Sequence, residues 1–328
     1  MINYTNIEDK IFSVNKENFE ELVFEIFKIQ YHQNSVYKNY IDFLKINPNK
    51  ICQIEKIPYL PIEFFKSYKI KTGLWKSQHI FRSSGTTDQN KSKHYIKNLD
   101  LYRESFINGF TYFFGNPKDY NFVGLLPSYL ERNDASLVYM VNGLMEKSNQ
   151  KEKYFYMHDY NNCAITLEKL KKNNKKIFLI GVTFALLDFI ESYNIDLKNH
   201  IILETGGMKG KRKEIIRTEL HHRIKKSFNL ENINGEYGMT ELLSQAYSKS
   251  DGIFECPPWM KILIRDPLDP FEISVNEKKG ALNVIDLCNI YSCSFIATQD
   301  LGQLYKNGTF EVLGRMDNAE LRGCNLMY

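Results

Sequence analysis

The stretch IFLIGVTFALLDFIESYNIDLKNHIILETGG, residues 177–207, decides the fold class. It opens with a short apolar run typical of a buried strand, IFLIG, and continues into VTFALLDFIESY, whose length and apolar spacing are typical of a helix. A second strand-like run, HIILETGG, follows the helical segment. A strand, a helix and another strand in this order predict a parallel sheet covered by helices.

The same alternation continues on both sides of this stretch. Upstream, the apolar run FVGLLP at 122–127 predicts another strand, and helical patterns follow at 135–145 and 163–173. Downstream, KEIIRTELHHRIKKSF at 213–228 predicts a helix whose basic face is more typical of a solvated outer helix than of a nucleic-acid surface. This helix is expected to bury apolar residues at four-residue spacing: Ile216, Leu220, Ile224 and Phe228.

The two ends of the chain have a different character. Residues 17–45 carry apolar positions at helical spacing, whereas IPYLPIEFF at 57–65 is expected to form an irregular strap because of its two prolines. After Ser250 short strand-like runs dominate, and Asn307-Gly308 predicts a hairpin, so the last third is expected to be antiparallel β. The predicted divisions are an N-terminal helical region (1–55), an α/β body (56–250), a β-rich subdomain (251–314) and a C-terminal tail (315–328).

Composition excludes several classes of protein. The chain has 328 residues, of which 43% are hydrophobic, and this is enough for a sizeable core. A formal net charge of only +4 gives no dedicated nucleic-acid or acidic-membrane surface. Because no secretory leader or membrane-spanning run is recognisable, we expect a cytoplasmic protein without a transmembrane segment. The six cysteines lack metal-binding spacing, so reduced thiols are expected.

Four groups of polar and glycine residues fall in turns or at the ends of predicted strands, where open α/β folds bind ligands. In the first group, glycine exposes backbone N–H groups, hydroxyls add donors and a lysine adds positive charge, which suits phosphate oxygens. Each group alone is also compatible with an ordinary polar turn or a helix cap. The four groups are SSGTT at 83–87 with Lys91, Gly206-Gly207, YGMTE at 237–241, and TQD at 298–300 with GRMD at 314–317.

In this order the groups resemble the motifs of the adenylate-forming superfamily, whose members use ATP to convert a carboxylate into an acyl-AMP. Within that superfamily the sequence is similar to the LuxE-type acyl-protein synthetases, fatty-acid ligases that pass the acyl group to their own cysteine. The resemblance covers about residues 56–328 and is strongest at SSGTT, GGMKGKRK, YGMTE and GRMDNAELRGCNLMY. It implies the α/β fold of the N-terminal domain of adenylate-forming enzymes, with a parallel body, a smaller antiparallel β subdomain and an essentially absent C-terminal lid domain.

The resemblance also implies ATP and Mg²⁺ as cofactors and a nucleotide site made of matching residues. Gly206 and Gly207 would border the adenine, and Tyr237, followed by Gly238, would stack on it. The ATP phosphates would be covered by a loop containing Ser83, Ser84, Gly85, Thr86, Thr87 and Lys91.

Further roles follow from the same resemblance. Thr240 would touch phosphate, and Glu241 would hold Mg²⁺, since hard carboxylate oxygens suit this cation. Asp300 would accept the ribose hydroxyls, and Arg315 would reach the ribose or a phosphate. Asp317 stands at the hinge of the family.

The sequence departs from the superfamily at two positions of the phosphate loop. Asp88 and Asn90 stand where glycine and proline are usual. A carboxylate at Asp88 would repel triphosphate, so it must point away or approach through Mg²⁺. The larger relatives also use a lysine from the lid domain. Lys91, Lys209 and Lys211 are the candidates to replace it.

The end of the chain carries the expected acyl acceptor. In the larger relatives the glycine turn after the GRxD motif lines the path of the incoming thiol. Here Cys324 directly follows Gly323, and Arg322 beside it could favour the thiolate. We therefore assign Cys324 as the acylated cysteine, with a buried or incidental thiol as the alternative. Cys288 and Cys293, inside apolar runs, are expected to be core residues.

The histidines and aromatic residues give weaker signals. His94 could contact phosphate or assist the thiol, although a solvated loop histidine is the simpler interpretation. His221-His222 is expected on the exposed basic helix and not as a metal pair. The aromatic residues that could line an acyl tunnel, although most must be core, are Phe110, Phe113, Phe114 and Phe184.

The leading expectation is thus an ATP-dependent ligase that activates a carboxylate, such as a long-chain fatty acid, and transfers the acyl group to Cys324 and then to a partner such as an acyl reductase. One alternative is a ligase that uses coenzyme A or another small thiol acceptor. A second is a non-catalytic nucleotide-binding relative. The third, an RNA-binding module, rests on the superficial GxxG pattern at 207–210.

Overall fold

The computed structural model describes residues 4–84, 91–128, 130–206, 216–274 and 279–316. They group into two compact units. Unit 1 takes its described residues from Met1–His79, Thr87–Asn98 and Glu255–Tyr328, and unit 2 takes them from Ile80–Thr86 and Leu99–Phe254.

The helices and strands of these described residues are as follows. The α-helices are α1 (Tyr4–Phe12), α2 (Phe19–Gln33), α3 (Ser35–Phe43), α4 (Phe64–Ser67), α5 (Leu99–Phe114), α6 (Ser136–Lys147), α7 (Tyr160–Leu170), α8 (Thr183–Ser192) and α9 (Arg217–Phe228). The strands are β1 (Leu60–Pro61), β2 (His79–Arg82), β3 (Lys93–Ile96), β4 (Tyr120–Leu125), β5 (Tyr154–Phe155), β6 (Lys176–Val182), β7 (Ile201–Thr205), β8 (Asn234–Tyr237), β9 (Ala246–Ser248), β10 (Ile253–Glu255), β11 (Met260–Arg265), β12 (Ile273–Ser274), β13 (Lys279–Asp286), β14 (Phe295–Leu304) and β15 (Phe310–Arg315).

Unit 2 contains the predicted parallel sheet. Strands β8, β7, β6, β4 and β5 lie side by side in this order, and all neighbouring pairs among them are parallel. Phe122 of β4 pairs with Phe178 of β6, and both side chains are fully buried. Strands covered on both faces carry apolar runs without alternation, and the runs at 122–127 and 177–181 have this character. The predicted α/β fold class is confirmed.

Helix α5 contributes an aromatic layer to the core of unit 2. The ring centroids of Phe110 and Phe114 each lie 5.0 Å from that of Phe178 on β6. Phe113 contacts Tyr247 of β9 at 5.2 Å. Of these three tunnel candidates, Phe110 and Phe113 are therefore buried core residues of unit 2, and Phe114 is half-buried.

Helix α9 differs from its prediction at its first turn. It begins at Arg217, so Ile216 precedes the helix and is 71% exposed. Leu220, Ile224 and Phe228 are buried as predicted. His221, expected on the exposed face, is also buried. The four-residue spacing identified the buried face, but it extended the helix too far towards its N-terminus.

Unit 1 contains an antiparallel sheet in the order β12, β11, β13, β14 and β15. The turn between β14 and β15 contains Asn307 and Gly308, and Gly308 adopts a φ of 85°, so the predicted hairpin is confirmed. Strand β1 pairs in parallel with β14 through Leu60 and Pro61. The expected strap at 57–65 therefore contains a two-residue strand, and its last two residues, Phe64 and Phe65, already belong to α4.

The N-terminal helices belong to the same unit as this antiparallel sheet. Gln30 and Asn34 are fully buried, and their amides bind the segment that leads into β14. Gln30 Nε2 donates to Asn289 O at 3.0 Å, and Asn34 Nδ2 donates to Ser292 O at 2.8 Å. The region that the sequence left unassigned thus helps to hold the start of β14. No helix among the described residues is long and apolar enough to cross a bilayer.

Candidate active site

The carboxyl ends of parallel strands meet at one edge of a sheet, and in open α/β folds ligands bind there. In unit 2 this edge is formed by the ends of β6, β7 and β8. Gly206 follows β7 directly, and Tyr237 is the last residue of β8. The structure therefore brings the first glycine of the GG pair and the YGMTE motif to neighbouring strand ends, as the sequence predicted.

Two threonine–glutamate pairs tie this edge together. Thr183 Oγ1 donates to Glu204 Oε1, and Thr205 Oγ1 donates to Glu236 Oε2. Burial raises the pKa of Glu204, although the hydrogen bond from Thr183 and the charge of Arg217 act in the opposite direction. Each pair joins one strand end to the next. The pairs thereby fix the backbone directly before Gly206 and Tyr237.

Steric constraints explain why glycine occupies positions 206 and 238 at this edge. Gly206 has a φ of 80°, a conformation that side chains with a Cβ rarely adopt, and it is exposed. A Cβ on Gly238 would collide with Glu236 Oε1 and lie 3.2 Å from Gln245 Cγ. Tyr237 is buried, with its ring 6.1 Å from that of Phe254. Gly207 lies outside the described residues.

The turn after Tyr237 carries the expected phosphate and metal residues. Thr240 is half-buried, and Glu241 is only 5% exposed. The described residues contain no group of three or more His, Cys, Asp or Glu side chains placed to hold a metal ion. A single carboxylate fits Mg²⁺ when substrate phosphates and water supply the remaining ligands. Glu241 could hold the cation in this way.

The predicted phosphate loop is described only at its two ends. Ser83, half-buried, and Ser84, exposed, follow β2 in unit 2. The end of β2 is fixed by Arg82 N, which donates to Asp134 O at 2.8 Å. Lys91 is half-buried and belongs to unit 1. The loop residues Gly85, Thr86, Thr87, Asp88 and Asn90, and the candidate cations Lys209 and Lys211, lie outside the described residues.

Unit 1 brings the remaining pair of site residues together. Asp300 on β14 and Arg315 on β15 are cross-strand partners, and Arg315 Nε donates to Asp300 Oδ1 at 3.2 Å. The residue Asp300 is 8% exposed, whereas the side chain of Arg315 is 79% exposed. The carboxylate can accept hydroxyl hydrogen bonds, and the exposed guanidinium can meet an anion. Asp317 lies outside the described residues.

The described cysteines differ strongly in access to solvent. Cys163, Cys288 and Cys293 are buried, and burial raises the pKa of Cys163 and of Cys293 to about 12. Burial also raises the pKa of the Cys256 thiol. Cys52 is the exposed thiol of the described residues. Cys324, with Arg322 and Gly323, lies outside them.

His94 does not lie in a solvated loop. It stands within β3 and is fully buried, and its ring meets that of Phe65 edge-on at 5.7 Å. Sequence inspection also missed the glutamates at the carboxyl edge. Glu204 comes just before the GG pair, and Glu236 just before YGMTE. Their position beside the motifs was the available signal, but a charged residue next to a turn is normally solvated.

Comparison with known proteins gives consistent matches. The sequence profile described as "Acyl-protein synthetase, LuxE" matches residues 9–328. A long-chain-fatty-acid–luciferin-component ligase of Aliivibrio fischeri is 24% identical to this chain over an alignment 354 positions long. The alignment covers 99% of this chain and 92% of that protein.

Solved structures of ligases share the fold. An open conformation of 2-hydroxyisobutyryl-CoA ligase, in complex with 2-HIB-AMP and CoA, has a TM-score of 0.70 at 10% identity over 92% of this chain and 70% of its own. ATP-bound MatB from Rhodopseudomonas palustris has a TM-score of 0.54 at 14% identity over 72% of this chain. The chain spans about half the length of MatB, 47%. These similarities confirm the predicted fold.

Proposed function

Because the chain belongs to the LuxE family of acyl-protein synthetases, we propose that it is an ATP-dependent ligase that activates a long-chain fatty acid as acyl-AMP, takes the acyl group onto Cys324 and passes it to a partner protein such as an acyl reductase. One observation carries the adenylation step. The Gly206 turn and the Tyr237 motif stand at neighbouring carboxyl ends of a parallel sheet. The Aliivibrio relative, named for a long-chain fatty acid, supports the substrate class.

The chemistry explains why such a site needs groups that stabilise negative charge more than it needs a general base. A carboxylate is a poor electrophile, so one of its oxygens first attacks the α-phosphorus of ATP, and pyrophosphate leaves. The thiolate of Cys324 then attacks the carbonyl carbon of the acyl-AMP and expels AMP. Both steps develop negative charge on phosphate oxygens, which donors and cations stabilise.

The proposed roles of the site residues follow the resemblance to the family. Tyr237 and Gly206 would receive the adenine at the strand ends, and Asp300 would accept the ribose hydroxyls. Arg315, with its exposed guanidinium, and Lys91 would meet phosphate oxygens. Mg²⁺ held at the buried carboxylate of Glu241 would neutralise charge on the phosphates.

The state of the described cysteines supports Cys324 as the acceptor. A thiol attacks as its thiolate, and burial disfavours this form at Cys163, Cys256 and Cys293. Cys52 is the exposed alternative and therefore the matched control.

The test is incubation with ATP, Mg²⁺ and radiolabelled fatty acid, followed by hydroxylamine treatment of the protein. Label that hydroxylamine removes is expected on the wild type and on Cys52→Ser but not on Cys324→Ser. Equal labelling of Cys324→Ser would eliminate the assigned acceptor. Formation of acyl-CoA without protein label when coenzyme A is added would instead identify a small-thiol ligase. Absence of fatty-acid-dependent ATP–pyrophosphate exchange would leave a nucleotide-binding relative without adenylation activity.

A further inference from the structure

Strand β14 is irregular at the residues that include Asp300. The ladder between β13 and β14 is interrupted at Leu282, which alone faces three residues of β14. A bulge of this kind disrupts ladder hydrogen bonds and redirects side chains, and such bulges are frequent beside active sites. The direction of Asp300 therefore depends on what holds the bulge. The three bulged residues are Thr298, Gln299 and Asp300, and the flanking pairs are Ala281–Leu301 and Asn283–Ala297.

Arg265 on β11 supplies hydrogen bonds to this bulge. The residue is only 7% exposed, and burial of a guanidinium is costly unless its donors are used. Nη1 donates to Leu282 O at 2.9 Å and to Asn283 Oδ1 at 2.8 Å, and Nη2 donates to Thr298 O. One side chain thus bridges three strands at the place where their ladder is interrupted.

A short chain of contacts leads from Arg265 to Asp300. Thr298 Oγ1 donates to Leu282 O at 2.8 Å and accepts from Asp300 N at 3.1 Å. The carbonyl of the same threonine is held by Arg265. Arg265 Nη2 also lies 3.9 Å from Met316 Sδ, the residue directly after Arg315. The guanidinium therefore supports both strands that carry the Asp300–Arg315 pair.

We propose that Arg265 is a positioning residue for the nucleotide: it holds the bulge so that the Asp300 carboxylate faces the ribose hydroxyls. This inference rests on the proposed role of Asp300 in ATP binding. A lysine in place of Arg265 keeps the charge, but its single ammonium lacks the planar fork that reaches acceptors on two strands. A methionine keeps much of the volume and removes every donor.

The test compares Arg265→Met, Arg265→Lys and Thr298→Val with the wild type in fatty-acid-dependent ATP–pyrophosphate exchange. The measured quantities are the KM for ATP, the KM for the fatty acid, and the preference in kcat/KM for ATP over 2′,3′-dideoxy-ATP. Arg265→Met is expected to raise the KM for ATP about tenfold and to reduce the ribose preference by a similar factor, with the KM for fatty acid unchanged. Arg265→Lys should show an intermediate effect, and Thr298→Val a smaller one in the same direction. Arg223→Met, on the exposed side of α9, is the control and should match the wild type.

The outcomes separate this inference from the proposed function. A folded Arg265→Met protein with the ribose preference of the wild type refutes the positioning role. If Arg265→Met does not fold, the wild-type preference in both Arg265→Lys and Thr298→Val refutes it equally. A loss of thermal stability without any change in preference shows a purely structural role and also refutes it. No exchange by the wild type overturns the adenylation proposal, and this inference with it.

Discussion

Replacement of Gln30 by leucine tests the contact between helix α2 and the start of β14. The side chain of Gln30 is fully buried, and both ends of its amide are used. Nε2 donates to Asn289 O at 3.0 Å, to Ile290 O at 3.3 Å and to Ser294 Oγ at 3.2 Å. Oε1 accepts from Ser294 N at 2.9 Å. Leucine has a similar volume and can make none of these bonds.

Because Nε2 carries only two hydrogens, its three contacts count as about two hydrogen bonds, and the bond accepted by Oε1 is a third. At about 1 kcal/mol each, their loss costs about 3 kcal/mol, and the buried N–H of Ser294, left without its acceptor, adds about 1 kcal/mol. The additional apolar burial of leucine recovers about 1 kcal/mol. Asn289 O keeps a second donor, Ser292 N at 2.9 Å, which limits the damage there. The free energy of unfolding of unit 1 should therefore fall by about 3 kcal/mol.

The two tryptophans make this change measurable in the intact chain. Trp75 and Trp259 both belong to unit 1, so intrinsic tryptophan fluorescence during urea unfolding reports on this unit. The indole N–H of Trp75 donates to Thr72 O at 2.8 Å, and Thr72 Oγ1 donates to Ser292 O at 2.6 Å, which places this probe beside the altered contact. The urea midpoint should fall by about 1 M.

The exposed Gln53 provides the matched control, since Gln53→Leu makes the same chemical change at the surface. Its free energy of unfolding should change by no more than about 0.5 kcal/mol. A Gln30→Leu midpoint equal to that of Gln53→Leu would refute the reasoning. It would mean that the buried amide contributes no more to stability than an exposed one.

Two further predictions concern unit 2. Burial, and then the charges of Arg217 and Lys225, lower the pKa of His221 from the usual 6.5 to about 4. Between these two pH values the unfolded chain binds a proton at His221 and the folded chain does not. The free energy of unfolding should therefore fall as the pH falls. Urea unfolding followed by circular dichroism should show that the free energy of unfolding falls by about 1 kcal/mol more in the wild type than in His221→Phe between pH 7 and pH 5. Equal decreases in the two proteins would show that His221 does not cause the pH dependence. Gly238→Ala should lower the free energy of unfolding by about 1 kcal/mol and raise the KM for ATP in pyrophosphate exchange, since the Glu236 carboxylate, which accepts from Thr205 Oγ1, must move away from the added Cβ. Unchanged values would show that Glu236 moves without losing this hydrogen bond.

The parts of the fold that the sequence predicted are those in which burial follows a simple period. The runs at 122–127 and 177–181 overlap the central strands β4 and β6, which are covered on both faces. The apolar residues that set the helical spacing of α2, such as Leu22 and Ile26, are buried. The motifs at Gly206 and Tyr237 were correctly placed at strand ends, because the order of strands and helices alone determines where parallel strands end.

Buried polar residues could not be predicted in the same way. A pattern of apolar positions assigns Gln30, Asn34, His94 and His221 to solvent, yet all four are buried. Gln30 and Asn34 are inside because they bind backbone carbonyls about 260 residues away in the chain. Such a partner is invisible to any local window of sequence. The hydrogen bonds that compensate for the burial of these amides form only when the distant segment is in place.

The bulge that carries Asp300 was hidden for a different reason. Leu282 faces three residues of β14, so β14 contains two more residues than the ladder requires. Because side chains alternate with a period of two, an excess of two residues leaves the alternation in phase on both sides of the bulge. An excess of one would have reversed the faces and disturbed the apolar pattern. The motif could therefore suggest a ribose-binding role for Asp300, but the proposed role of Arg265, 35 positions earlier in the chain, required the register of three strands.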